Sequence, residues 1–433
     1  MKLSKPASWV LLSGLAIRLG LAPFTGHPTD MALLVTPERL FYQDGTIDLK
    51  YFPTLPAVYY VQLLFYAPYQ LLRLIGMPDF QYFYHTTLMI EGLFLKLPLI
   101  LADVGIFLVL LRFTGKLMPA TLFFLNPFPI FLSAVWGIYD SMMLFPLTLG
   151  LYVFATRNNR TIPGLIFVIS GLLKLFGFAA FALVICESII RPRFRREIPL
   201  EILGGTAIVV AILSPLFFFG ASQTFLQVLV YRFIGFTSGN SGPQYDDLLG
   251  EIFKVSISGV LPTVPIVLAL TCVGYSYERM RSKQFSPLLL VKWTLVAALA
   301  ISLFSTSEPQ WLSWFIPLGI LYGSLTGRTG VQYFAFLFGT FVPFLTITLL
   351  QGTAYLLIGT RIAFHLGYVE SIPGSVFLYA VMTTILIVMF CGYSFSKILK
   401  SFRLEVIPLT VLLYLQLYFW IVIVGVGNFV GIS

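Results

Sequence analysis

The chain has 433 residues, of which 58% are hydrophobic and only 10% are charged, with a mean hydropathy of +0.91. A soluble domain carries about 25% charged residues, so this composition excludes an ordinary soluble protein, a disordered chain and a secreted disulfide scaffold. It predicts an integral membrane protein with many spans. We attribute the net charge of +9 to membrane orientation and expect no nucleic acid as a partner.

Hydropathy and charge together predict thirteen membrane helices, since a bilayer core takes roughly 20 apolar residues per helix. Seven short clusters hold 17 of the 27 Lys and Arg residues, and placing all seven in the cytoplasm requires an even number of spans between successive clusters. The resulting helices are 8–25, 90–113, 118–136, 141–156, 161–174, 177–190, 200–220, 251–275, 286–305, 311–326, 330–350, 374–396 and 405–430. The N-terminus is then cytoplasmic and the C-terminus lies outside.

The stretch from Leu55 to Ile75 is long enough to span a membrane, but we interpret it as an amphipathic helix lying in the interface. Counting it as a span would place Arg112 and Lys116 outside and would reverse every later cluster. The stretch also mixes tyrosines, glutamines and Arg73 among its leucines and valines. Such a mixture of aromatic, polar and apolar residues is typical of interfacial helices.

This orientation gives two long external loops and divides the chain into two transmembrane modules. The first module, 1–220, contains the external loop 26–89, and the second module, 221–433, contains the external loop 221–250. Twelve of the 18 acidic residues fall on the outer side. Ionisable groups at membrane depth are costly and usually face a cavity or a partner. We therefore expect a polar cavity at the outer boundary of the membrane.

A cavity of this kind suits a reaction between a water-facing acceptor and a lipid-borne donor. A carboxylate would take the proton from an attacking hydroxyl, and cations would stabilise the negative charge on a departing phosphate. An inverting glycosyl transfer needs one such base, with the acceptor and the leaving group on opposite faces of the sugar. The chain has no glycine-rich phosphate loop, so we expect no nucleotide.

Short polar and aromatic motifs follow the apolar segments in a definite order. They are Thr29-Asp30, Tyr51-Phe52-Pro53-Thr54-Leu55, Lys96-Leu97-Pro98 with Asp103, Asn126-Pro127, Trp136-Gly137-Ile138-Tyr139-Asp140 and Glu308-Pro309-Gln310-Trp311. In this order they resemble the polytopic GT-C glycosyltransferases, particularly the dolichyl- or polyprenyl-phosphate-mannose-dependent mannosyltransferases. The resemblance covers residues 10–175 by motif and the rest by hydropathy. Two features depart from the family: a single acid follows the first helix, and Trp-Gly-Ile-Tyr-Asp replaces the commoner Trp-Gly-Gln-x-Asp.

The resemblance implies an all-α, GT-C-type fold of about 13 transmembrane helices, with interfacial helices in the first external loop. It implies an inverting enzyme that transfers a hexose, with mannose as the first candidate, from a polyprenyl-phosphate sugar to a glycan, glycolipid or protein acceptor. The site would face the outside of the plasma membrane in a prokaryote, or the lumen of the endoplasmic reticulum in a eukaryote. We expect a monomer that needs no cofactor beyond the lipid-linked donor; a divalent metal is compatible with the reaction but not expected.

Three kinds of residue are assigned to this reaction. The family has an acidic base in its first external loop, and the residue that matches it is Asp30. The candidates for binding the donor phosphate are Lys96, Lys174, Arg232 and His27. The candidates for orienting the acceptor or these cations are Asp140, Glu308, Gln310 and Asp103.

Most of these residues also have a structural interpretation. Asp30 and Asp140 both stand where a helix N-cap is expected, and Lys96 would reach the interface along its own helix without any ligand. Asp103 lies two helical turns from Lys96 on the same face, deep in the bilayer, and a structural salt bridge is its expected role. The segment around Trp311 would serve equally as an interfacial anchor.

Two other functions stay open on the sequence. A multipass transporter or lipid flippase would have similar hydropathy, although transporters often contain repeated halves and paired broken helices, and we find no repeat. A non-catalytic subunit that keeps the glycosyltransferase fold would carry the same motifs. Substrate uptake by proteoliposomes without a lipid-linked sugar would favour the transporter, and an essential partner with no activity alone would favour the subunit.

Overall fold

The computed structural model describes residues 3–26, 28–47, 56–81, 87–219, 263–282, 286–304, 309–336 and 338–339. Its helices are α1 (Lys5–Leu21), α2 (Pro28–Asp44), α3 (Pro56–Leu74), α4 (Met89–Thr114), α5 (Leu117–Phe124), α6 (Pro127–Ile130), α7 (Asp140–Thr156), α8 (Thr161–Leu173), α9 (Gly177–Ile190), α10 (Ile198–Phe218), α11 (Thr263–Arg281), α12 (Pro287–Phe304) and α13 (Phe315–Leu325). Short 3-10 segments are Ala22–Phe24, Pro192–Glu197 and Pro309–Trp314, and Phe131–Trp136 is a π-helix. Apart from one isolated bridge between Gln81 and Leu88, the secondary structure of these ranges is helical, which confirms the all-α prediction for them.

Among the described residues, three helical segments are long and apolar enough to cross a membrane. They are Lys5–Phe24, Met89–Thr114 and Pro192–Phe218. A fourth is obtained if Leu117–Phe124 and Pro127–Trp136, which meet at 47°, count as one bent span. These helices agree with a helical membrane protein. The total of thirteen spans stays a prediction, and the last two predicted spans lie outside the described residues.

The short hairpin predicted between two basic clusters is present as α8 and α9. Each helix begins and ends within one residue of its predicted bounds. The turn between them is tight at Gly177, where a Cβ atom would lie 2.3 Å from the backbone nitrogen of Gly171 and 2.6 Å from Oγ of Ser170. Glycine therefore allows α9 to start directly against the end of α8, and the turn holds Lys174 at the tip of the hairpin.

The predicted span 118–136 is interrupted in the structure. α5 ends at Phe124, and Asn126 caps α6 by accepting a hydrogen bond from the backbone N–H of Phe128 at 2.9 Å. Pro127 has no N–H with which to continue the preceding helix, so the chain bends here. α6 then widens into the π-helix, which ends at Gly137 in the left-handed region at φ +90°. π-Helical turns often occur at functional sites, and this one leads into the Trp-Gly-Ile-Tyr-Asp motif.

Three of the seven predicted basic clusters lie at the same end of the helices. They are the clusters that contain Arg160, Arg191 and Arg279. Glu187 of α9 pairs with Nε of Arg279 in α11 at 2.7 Å and with Nε of Arg191 at 3.1 Å. The carboxylate of Glu197 accepts the backbone N–H of Arg160 at 2.5 Å. α11 continues beyond its predicted end at 275, and the ion pair between Arg279 and Glu187 lies in its last turn. The side of a membrane that this end faces stays a prediction.

Candidate functional site

Lys174 forms an ion pair with Asp140 at the tip of the α8–α9 hairpin. Lys174 follows the last residue of α8, and Asp140 is the first residue of α7. The distances from Nζ to the two carboxylate oxygens are 2.8 and 2.9 Å. Asp140 is buried, whereas the Lys174 side chain keeps 12% of its surface exposed. Two residues that the sequence assigned to separate roles therefore meet, and the N-cap of α7 is Tyr139 rather than Asp140.

Aromatic rings surround the Lys174 ammonium on several sides. Its Nζ lies 5.3 Å from the ring centroid of Tyr139, 5.7 Å from that of Trp311 and 5.2 Å from that of Trp314. The indole N–H of Trp314 also donates a hydrogen bond to Asp140. Ring faces attract cations, so the rings and the carboxylate together fix the ammonium. We call these five residues the Lys174 cluster.

The late segment 309–314 supplies two of these rings. Trp314 lies between Phe176, at a centroid distance of 4.6 Å, and Trp311, at 5.4 Å, and all three rings are nearly parallel. The Trp311 Nε1 atom is buried and has no hydrogen-bond partner among the described residues. Trp314 and Phe176 are buried, whereas Trp311 is half-buried, so Trp311 is the ring of this stack that a sugar could contact.

Asp30, which lies far from the Trp136–Asp140 motif in the sequence, contacts that motif in the structure. It lies in the first turn of α2 and is half-buried, and its carboxylate accepts a hydrogen bond from the indole N–H of Trp136. α2 begins at Pro28, so Asp30 is inside the helix and is not its N-cap. Trp136 and Asp140 are the two ends of one five-residue motif. This motif therefore connects the predicted base with the Lys174 cluster.

Backbone oxygens enclose the second predicted phosphate ligand, Lys96. Its Nζ lies 3.1 Å from the carbonyl oxygen of Ala22, 2.9 Å from that of Ala134 and 3.2 Å from that of Val135. It also donates to the carbonyl of Thr25 and lies 3.2 Å from the hydroxyl of that residue. Lys96 is fully buried. In this arrangement it ties the end of α1 to the π-helix and so positions the start of the motif.

Gly137 allows α2 and α4 to approach the motif closely. A Cβ atom at this position would lie 2.4 Å from Sδ of Met31 and 3.2 Å from Cε of Lys96. Its φ of +90° also lies in the region that favours glycine. A side chain here would therefore strain the backbone and separate the elements that carry Asp30 and Lys96.

The Asp103 carboxylate accepts hydrogen bonds from three neighbouring side chains. Its carboxylate accepts hydrogen bonds from Nε of Arg18 at 2.9 Å, from the hydroxyl of Ser133 at 2.7 Å and from the hydroxyl of Ser141 at 2.6 Å. Asp103 and Arg18 are both fully buried, which confirms the expected salt bridge. Asp103 reaches the site only through Ser141, the neighbour of Asp140 in α7, and so acts as a positioning residue.

Several predicted residues cannot be placed. His27, Arg232 and Glu308 lie outside the described residues, as does the side chain of Gln310. Sequence reasoning did not assign Arg18, Tyr139 or Trp314, although single buried charges of opposite sign and the Trp-x-x-Trp spacing were available signals. Within the described ranges, no group of three or more His, Cys, Asp and Glu side chains is arranged to hold a metal ion.

No protein-family model matches the chain, and no curated protein or solved structure matches it.

Proposed function

We propose that the protein is an integral-membrane, inverting glycosyltransferase. It would transfer a hexose, with mannose as the first candidate, from a polyprenyl-phosphate sugar to a hydroxyl acceptor at the non-cytoplasmic face. The observation that carries this proposal is the convergence of Asp140, Lys174 and the late segment 309–314 on one partly exposed cluster. These parts are far apart in the sequence. The sequence predicts Asp140 and Lys174 as site residues, and Tyr139 and Trp314 contact Lys174 beside them.

The Lys174 cluster is suited to a departing phosphate. As the bond between the anomeric carbon and the phosphate oxygen breaks, its electron pair stays with the phosphate, and negative charge grows there. Lys174 would exchange part of its contact with Asp140 for this phosphate and would stabilise the charge. The surrounding rings would exclude water and pack against the sugar, so the ammonium would act in a medium of low polarity.

Asp30 would act on the acceptor. Its carboxylate would take the proton from the attacking hydroxyl while the acceptor oxygen bonds to the anomeric carbon, and the proton would end on Asp30. The hydrogen bond from Trp136 holds the carboxylate in a fixed orientation. Because the same motif also carries Asp140, the base and the phosphate-binding cation keep a fixed relation to each other.

The test is sugar transfer by the purified protein in lipid nanodiscs, with radiolabelled polyprenyl-phosphate mannose or glucose as donor and octyl hexosides and hexose oligosaccharides as acceptors. We expect Asp30→Asn to lower kcat by about 100-fold or more, since general-base catalysis contributes about 10²–10⁴. Asp44→Asn is the matched control, because Asp44 is an exposed acid at the other end of α2. Undiminished turnover by Asp30→Asn would overturn the assigned base. Absence of transfer by the wild type, with uptake of solute by donor-free liposomes, would overturn the enzyme.

A further inference from the structure

The 3-10 segment Pro192–Glu197 lies at the end of α8 opposite to Lys174 and carries an exposed patch of positive charge. Three arginines of this segment, Arg193, Arg195 and Arg196, are exposed. None of them forms an ion pair with a described residue. The sequence explains them only as signals of membrane orientation, and the proposed reaction does not use them. We call these three residues the arginine patch.

The three-residue repeat of a 3-10 helix separates an inner from an outer side of this segment, since residues three apart share a face. Phe194 is buried, and Glu197, on the same face, accepts the backbone N–H of Thr161 at the start of α8 at 3.1 Å. Arg193 and Arg196 share another face and are about 6 Å apart along the axis, at about 2.0 Å per residue. The anchored inner face therefore holds two arginines one turn apart on the outer face.

The acids next to the arginine patch are turned into the protein. Glu187 is buried and pairs with Nε of Arg279 at 2.7 Å. Glu201 is buried as well, and its carboxylate accepts the hydroxyl of Ser188 at 3.2 Å. The charge that the described surface presents here is consequently positive, and such a surface attracts anions.

An exposed apolar stripe begins beside the arginine patch and runs along α10. Leu200, Leu203, Val210 and Phe217 recur on one face of the helix, and each exposes between 59% and 67% of its surface. Arg196 precedes Leu200 by four residues and so stands at the start of this stripe. At 1.5 Å per residue the stripe is about 25 Å long, close to the thickness of about 30 Å of a bilayer core. We call these four apolar residues the α10 stripe.

The opposite face of α10 packs against α8 and α9. At Gly205, a Cβ atom would lie 3.3 Å from Cγ2 of Val168 and 3.8 Å from Cζ of Phe181. The segment Pro192–Phe218 is also one of the candidate membrane spans. The α10 stripe is therefore the face of this span that is turned away from the described helices, where lipid chains would cover it.

We infer that the arginine patch and the α10 stripe together bind an anionic phospholipid. The lipid phosphate would accept charge-assisted hydrogen bonds from Arg193 and Arg196, and an acyl chain would lie on Leu200 and Leu203. A free phosphate would use only the arginines, and a neutral lipid would use mainly the stripe. An anionic phospholipid joins both kinds of group in one molecule. This inference does not depend on the proposed function.

The first test is quenching of tryptophan fluorescence by phospholipids that are brominated on their acyl chains. Leu203→Trp places a reporter on the α10 stripe of the full chain, which is reconstituted in dioleoylphosphatidylcholine with brominated phosphatidylglycerol or brominated phosphatidylcholine. The signal of the wild type is subtracted. We expect the relative binding constant of phosphatidylglycerol to exceed that of phosphatidylcholine about tenfold, because basic residues near the membrane surface attract anionic lipids. The preference should decrease strongly at 1 M salt, where the screening length is about 3 Å.

Two results of this first test would overturn the inference. Equal binding constants for the two lipids would show that the arginine patch does not select an anionic headgroup. A reporter that neither lipid quenches would show that protein, rather than lipid, covers the α10 stripe.

The second test separates a lipid site from the general positive charge at this end of the helices. In the reporter background, Arg193→Gln/Arg196→Gln should abolish the preference for phosphatidylglycerol, and Arg193→Lys/Arg196→Lys should keep most of it. Arg157→Gln/Arg281→Gln is the matched control, because it removes two exposed arginines of the same end that lie outside α10 and its 3-10 segment. The control should keep the preference. If both glutamine variants lose it equally, the inference is wrong.

Discussion

Lys96 and Lys174 are both single lysines in apolar surroundings, but the structure gives them opposite environments. Lys96 is fully buried, and five oxygens of two chain segments surround its ammonium. Lys174 is partly exposed, and a carboxylate and three rings hold it. Hydropathy cannot distinguish the two, because it counts a lysine without its partners.

The difference lies in whether the partners can be exchanged. The carbonyls around Lys96 belong to the backbone of the 3-10 segment and its C-cap, which follow α1, and of the π-helix, so releasing the ammonium would leave buried acceptors unsatisfied. Asp140 is a buried side chain, but its partner Lys174 is partly exposed, and an incoming phosphate can replace part of the contact between them. We therefore interpret Lys96 as a support for the motif and Lys174 as the cation for the donor.

The largest expected effect comes from removing the Lys96 ammonium. Lys96→Met keeps the length of the side chain but leaves several buried carbonyls without a donor, each at a cost of about 1–3 kcal/mol. We expect the free energy of unfolding, measured in mixed detergent micelles, to fall by at least about 3 kcal/mol. Leu101→Ala is the control, since Leu101 lies on the same helix and is 49% exposed. An unchanged free energy of unfolding would contradict the supporting role.

Lys174→Met should mainly lower the rate of sugar transfer, whereas Lys96→Met mainly lowers the free energy of unfolding. We expect kcat for sugar transfer to fall about 100-fold, equivalent to about 2.7 kcal/mol of transition-state stabilisation, because the departing phosphate loses its cation. The double variant Lys174→Met/Asp140→Asn, which leaves no buried charge unpaired, should be as inactive and should unfold like the wild type. If it regains activity, Lys174 only balances Asp140 and does not act on the donor.

Trp314→Phe tests a smaller part of the Lys174 cluster. The variant keeps a ring that can stack on Phe176 but removes the N–H that binds Asp140. We expect Asp140 to hold Lys174 less firmly and kcat/KM for the donor to fall about tenfold, equivalent to about 1.4 kcal/mol. Trp293→Phe, in α12 outside this cluster, is the matched control. Equal losses in the two variants would show that the indole of Trp314 has no special role.

Local patterns in the sequence predicted several features well. The α8–α9 hairpin followed from its basic flanks and apolar lengths, and the amphipathic character of α3 followed from its mixed composition. The salt bridge of Asp103 followed from the cost of an acid at membrane depth. For the hairpin and for α3, the physical cause lies within one segment of the chain, and one sequence is enough to find it. For Asp103, the sequence predicts a salt bridge but does not identify its partner, Arg18.

Contacts between distant segments could not be predicted from the sequence. The break before Pro127 depends on Asn126, whose side chain caps α6 instead of allowing α5 to continue. The pattern of apolar residues is the same with or without this break and therefore does not predict it. The pairing of Asp30 with Trp136 and of Asp140 with Trp314 joins positions more than a hundred residues apart. No spacing rule links such positions, so the partners of both lysines had to come from the structure.

Glu38 extends the comparison to a buried acid that is not held by an ion pair within the described residues. It lies in α2, outside the candidate spans, is fully buried, and neither carboxylate oxygen has a hydrogen-bond partner among the described residues. Burial, with a smaller contribution from the charge of Glu91, raises the pKa of Glu38 well above its ordinary value of 4.5. The folded state therefore binds this proton more tightly than the unfolded state does. Stability is then lost as pH rises from about 4.5 towards the folded pKa.

Glu38→Gln should remove this loss, because the amide keeps the shape of the protonated acid. We expect the variant to unfold like the wild type at pH 4 and to be more stable at pH 8 by on the order of 1 kcal/mol, measured as the free energy of unfolding at both pH values. Asp44→Asn, an exposed acid on the same helix, is the control and should show no such divergence. A difference between Glu38→Gln and the wild type that is equal at both pH values would mean that Glu38 does not change its protonation on unfolding. A buried charge without a hydrogen-bond partner would then be tolerated in α2, and the contrast between Lys96 and Lys174 would concern their geometry rather than their charge.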